Sequence, residues 1–65
     1  MGTKFKIDDE TLDIPRGINF PVVGDGISLK YKGETKQYVV ESIIHILDYD
    51  ISIKQGNTLI NLKEI

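Results

Sequence analysis

The stretch that most constrains this chain is Lys36-Gln37-Tyr38-Val39-Val40-Glu41-Ser42-Ile43-Ile44-His45-Ile46-Leu47. Successive side chains of an extended strand point to opposite faces. Strict alternation puts Tyr38, Val40, Ser42, Ile44 and Ile46 on one face, and Val39, Glu41, Ile43, His45 and Leu47 on the other. β-Branched Val and Ile dominate, which favours a strand over a helix. A strand apolar on both sides needs cover on both, from a sheet that curls over it or from a second chain. Ile43 and Ile44 are both expected in the core, and a two-fold homodimer is the expected assembly.

The flanking chain reads as further strands. Lys4-Phe5-Lys6-Ile7 alternates, predicting a strand over residues 3–8 with Phe5 and Ile7 inward. Leu12 and Ile14 alternate briefly before Pro15, although residues 10–14 also suit one helical turn. Ile27-Ser28-Leu29-Lys30-Tyr31-Lys32 is the clearest half-wet strand, and Gly33-Glu34-Thr35 should turn it into the central strand through a loop of about three to four residues. Ile51-Ser52-Ile53-Lys54 reads as a short strand, Gln55-Gly56-Asn57 as a hairpin turn, and Thr58 to Ile65 as the last strand. The expected fold is all-β: a small five-stranded antiparallel SH3-like barrel or curled sheet, with residues 1–65 as one domain.

Composition narrows the function classes. At 65 residues the chain buries only about 60% of the surface its unfolded form exposes. It has no cysteine, which excludes disulfides and zinc-thiolate sites. No apolar run approaches the roughly 18–20 residues that span a bilayer, and the N-terminus lacks a signal-peptide core, so a cytoplasmic protein without a membrane partner is expected. Ten acids against eight bases give a net charge of −2, which disfavours phosphate-driven nucleic-acid binding.

The turn Phe20-Pro21-Val22-Val23-Gly24-Asp25 and the later run Tyr38-Val39-Val40-Glu41-Ser42-Ile43-Ile44-His45 form a pattern over residues 20–48. It resembles small SH3-like β-barrel proteins of phage and bacteria, in which a P-x-x-G-D turn precedes a Y-x-V-x-x-I-x-H strand. That family carries no single activity. The resemblance implies a compact module that works by contact, of the kind phage use as inhibitors of host enzymes or defence systems in the host cytoplasm.

His45, the single histidine, lies about 13 Å along an extended strand from Glu41 and has no nucleophile beside it in sequence, so a structural histidine is expected and no catalytic residue is assigned. Asp8, Asp9, Glu10 and Asp13 read as a solvated acidic turn; no metal or other cofactor is expected. Gly24-Asp25-Gly26 precedes a strand, not the helix that a phosphate loop requires. Lys30, Tyr31, Lys32 and Lys36, with Tyr38 and Tyr49, resemble a base-stacking platform, which makes a small nucleic-acid-binding barrel the alternative function. The irregular segment from Pro15 to Pro21 carries Arg16, Ile18 and Phe20, residue types that anchor protein interfaces. Either it is a contact surface stiffened by its prolines, or Ile18 and Phe20 plug one end of the barrel. The leading expectation is a non-enzymatic protein-binding module, a host enzyme being the kind of partner the resemblance implies.

Overall fold

The computed structural model describes residues 2–50 and 55–65. They form β1 (Gly2–Ile7), β2 (Glu10–Asp13), β3 (Gly26–Tyr31), β4 (Glu34–Asp48) and β5 (Gln55–Glu64). One sheet holds all five strands in the order β2-β1-β5-β4-β3. No helix among the described residues is long and apolar enough to cross a membrane.

The all-β expectation holds, but the expected antiparallel sheet is a mixed one. β1 lies parallel to β5, with Phe5 beside Ile60 and Ile7 beside Leu62, while every other pairing is antiparallel. The first and last strands thus run side by side in the same direction, a connection that only the long course of the intervening chain permits. Residues 10–14 give strand pairing at Glu10–Asp13, not a helical turn. Gln55, Gly56 and Asn57 are no hairpin turn: they pair with Asp48, Leu47 and Ile46 and lengthen β5. The expected strand over residues 51–54 lies outside the described residues.

The β3–β4 hairpin is tighter than expected. Tyr31 pairs with Glu34, leaving only Lys32 and Gly33 in the turn. Both have positive φ, +54° and +80°, the backbone that matches the twist of a two-residue hairpin.

The face assignment of the central strand also changes. Val40 pairs with Leu62 and Ser42 with Asn61, so Glu41 is an extra residue with no partner on β5. This β-bulge shifts the alternation by one. Beyond it Ile43 faces Ile60, joining Tyr38 and Val40 on the concave side, whereas Ile44 turns to the convex side and is 48% exposed. Phe5, Tyr38, Val40, Ile60 and Leu62 form the buried core, and Val40 and Ile60 are only 1% exposed. Ile7, Leu12, Ile14, Ile27, Leu29 and Ile43 pack around them.

The sheet curls over this core without closing, as a half-barrel. No Cα of β2 comes within 8 Å of any in β3, against the roughly 4.8 Å spacing of paired strands. The two outer strands therefore face each other across an open seam.

Candidate functional site: an apolar seam and its loop

The residues between β2 and β3 must travel from one outer strand to the other, which puts them at the seam. Gly24 has φ +97°, a conformation that favours glycine, and it sets the turn that ends this crossing. The Asp25 carboxylate accepts the Val22 N–H at 2.8 Å, while the Asp25 N–H donates to the Val22 carbonyl at 3.0 Å. The turn is tied to β4 as well: Gly24 N–H donates to the Val40 carbonyl at 3.0 Å, and Val40 N–H to the Asp25 carbonyl at 2.9 Å. The Val22–Asp25 turn thus continues the β3 side of the sheet by one residue pair, and fixes where the preceding loop emerges.

That loop is outside the core. Phe20 is 68% exposed, and Ile18, Val22 and Val23 are exposed beside it. Ile18 and Phe20 line a cleft of about 720 Å³ together with Phe5 and Leu12 from the β1–β2 side and Ile27 and Leu29 from β3. The barrel-plug expectation for Ile18 and Phe20 is corrected on this point: each contributes one wall to an open groove and leaves much of its surface in solvent. Pro21, half-buried, also lines a smaller hollow of about 250 Å³ with Phe20, Ile43 and His45. Arg16 is exposed on the same loop but does not line the cleft.

The Lys/Tyr hairpin does not assemble into one platform. Lys30 pairs with Thr35 and Leu29 with Lys36, so Lys30 and Lys36 occupy opposite faces of the hairpin. Lys32 lies 5.2 Å from the Tyr31 ring centre and 3.4 Å from a Glu10 carboxylate oxygen, which bridges the two turns at one end of the seam. Lys36 is flanked by Glu34 at 3.7 Å and Glu64 at 3.9 Å. Tyr38 is buried in the core, and Tyr31 is left as the exposed ring beside these lysines.

The remaining candidates have structural partners. His45 Nδ1 is 3.0 Å from Thr58 Oγ1, a cross-strand contact of the β4–β5 pair. In the acidic turn Asp13 is bonded to Lys4 and Glu10 to Lys32. The Lys4 ammonium bonded to Asp13 holds that carboxyl below the ordinary aspartate range. Among the described residues no group of three or more His, Asp or Glu side chains is placed to hold a metal ion.

Lys30 and Tyr31, candidates of the Lys/Tyr hairpin, also line this cleft, whereas its apolar walls from β2 and β3 are not site candidates in the sequence. Leu12, Ile27 and Leu29 read there simply as inward-facing strand positions, and only the open seam between their strands turns them into a surface. The apolar run Phe20-Pro21-Val22-Val23 in a loop was the available signal. Compared with family models, with curated proteins and with solved structures, the chain finds no match.

Proposed function

We propose that the protein is a non-enzymatic binding module that grips a protein partner with the Ile18–Val23 loop and the adjoining seam. The observation that carries this reading is the continuity of apolar surface from exposed Phe20 into the cleft walled by Leu12, Ile27 and Leu29. Apolar and aromatic side chains on a loop held at both ends suit an interface anchor, because little entropy is lost on docking. Arg16 is exposed on the same loop, and a guanidinium at an interface periphery adds orientation at small desolvation cost. An SH3-like manner of working, a small barrel presenting one apolar groove to a partner, follows from the same reading. The resemblance to phage modules makes a host enzyme or defence protein the first partner class to test.

Phe20→Asp is the decisive variant. A partner retained by the parent protein from host lysate at high salt should be lost by Phe20→Asp, while the variant melts close to the parent. Equal retention by a folded Phe20→Asp variant rejects the loop as the anchor. Capture that collapses with added salt, and persists in Phe20→Asp, would instead favour a polyanion held by the lysines.

A further inference from the structure

The far half of β4 is a sheet edge. β3 accompanies β4 only from Glu34 to Val39, and Gly24 and Asp25 add the bonds to Val40. From Ser42 to Asp48 the strand is paired with β5 on one side, and among the described residues no strand lies on the other. The direction of the free backbone groups follows from the register. Val40, opposite Leu62, sends both its N–H and its C=O away from β5. Ile60, Thr58 and Gly56 share the phase of Leu62 on β5, so their partners Ile43, His45 and Leu47 also present N–H and C=O to the open side.

Exposed edges of this length are normally guarded by lysine, proline or brevity. Here the carboxylates of Glu41 and Asp48 stand at the ends, and Ile43, Ile44, Ile46 and Leu47 lie between. Three of these are exposed: Ile44, Ile46 and, at 62%, Leu47.

We propose that a second copy of this chain covers the edge, residues 42–48 of the two copies pairing antiparallel about a two-fold axis through His45. A two-fold interface needs a patch complementary to itself, and this segment is one. Centred on His45, Ile43 meets Leu47 on the concave side, Ile44 meets Ile46 on the convex side, and Ser42 meets Asp48. Every apolar position meets an apolar one, and no two carboxylates are placed opposite each other. The outward groups of Ile43, His45 and Leu47 then bond to those of Leu47, His45 and Ile43 in the second copy, joining the two half-barrels into one continuous sheet. The cleft between β2 and β3 includes none of residues 42–48 and stays open, while Phe20 and Pro21 border Ile43 and His45 across the smaller hollow, so the loop adjoins the pairing edge.

The chain has no cysteine, so His45→Cys introduces a single thiol on the proposed axis. Directly opposed residues of a hydrogen-bonded antiparallel pair have Cα atoms about 5.5 Å apart, within the range a disulfide spans. Mild oxidation should convert His45→Cys to a covalent dimer, and Lys30→Cys, on β3, should remain uncross-linked. Light scattering of the parent at micromolar concentration should give twice 7.3 kDa. His45→Pro, which removes an outward N–H, should halve that mass. If His45→Pro fails to fold, the parent mass and the two cysteine variants still decide. A parent mass of 7.3 kDa throughout, or equal cross-linking of both cysteine variants, overturns the proposal.

Discussion

Val40 and Ile43 stand on the same face of β4 although three positions separate them, because Glu41 is inserted between them without a partner on β5. The even alternation of a strand is thereby reset in mid-course. Val40 meets Leu62, Ile43 meets Ile60, and the core continues along both strands past the bulge.

Deleting Glu41 should leave a regular ladder, since Val40, Ser42 and Ile43 already face the consecutive residues Leu62, Asn61 and Ile60. We expect a folded variant with Ile43 still in the core and a locally flatter sheet. Deleting Val39 instead puts Tyr38 out of phase with Val40, and should unfold the domain. Circular dichroism melts of the two deletion variants compare them directly; two unfolded variants would mean that the bulge itself is required.

Neighbouring isoleucines should respond differently to truncation. Ile60→Ala removes methyl groups from a side chain only 1% exposed, and should cost about 2–5 kcal/mol. Ile44→Ala, on the convex face, should cost about 1 kcal/mol or less in dilute, monomeric protein. Denaturant titration measures both, and equal losses would place Ile44 inside.

The Val22–Asp25 turn should be sensitive at Gly24. A β-branched residue at φ +97° is strained, so Gly24→Val should lower stability by about 1–3 kcal/mol while strand content is retained. Hydrogen exchange at the Val40 amide, bonded to the Asp25 carbonyl, should speed up in the same variant. An unchanged rate would show that the turn is held by other contacts.

Asp13 should titrate below the ordinary aspartate range in the folded protein, owing to its hydrogen bond and charge interaction with Lys4. A carboxyl depressed on folding stabilises the native state above its unfolded pKa, and that stabilisation is lost as pH falls through the folded value. Both side chains are exposed to solvent, so the stability effect is small. Carboxyl-detected NMR follows the Asp13 titration, which should move upward in Lys4→Met; no movement would remove Lys4 as the cause.

Much of the local structure was legible in the residues. Phe5 and Ile7 alternate with lysines and lie inward as that pattern requires, and the Ile27–Tyr31 alternation forms a strand paired to β4. The bulge was legible too, in a form that strict alternation hides. Tyr38, Val40, Ile43 and His45 are spaced two, three and two apart, and the step of three marks the inserted residue. Reading every second residue along the whole strand assigned Ile44 to the core face because it allowed no such insertion.

What the sequence by itself determined was the all-β class, the strands β1, β3 and β4, the turn at Gly24-Asp25, and the inward Phe5, Ile7, Ile27 and Leu29. Those follow from steric preference and period, which act over a few neighbouring residues. Tertiary structure alone decided that β1 runs parallel to β5, that Gln55–Asn57 extends a strand, and that Phe20 lies outside the core. Each of these depends on which distant segment supplies the hydrogen-bond partner or the apolar neighbour. β5 pairs with β4 on one side and β1 on the other, and so occupies the sheet centre. That placement leaves β2 and β3 as the outer strands, with an open seam between them. Nothing local to Leu12, Ile18 or Leu29 distinguishes a closed barrel from an open one; the pairing of the chain's two ends makes the difference.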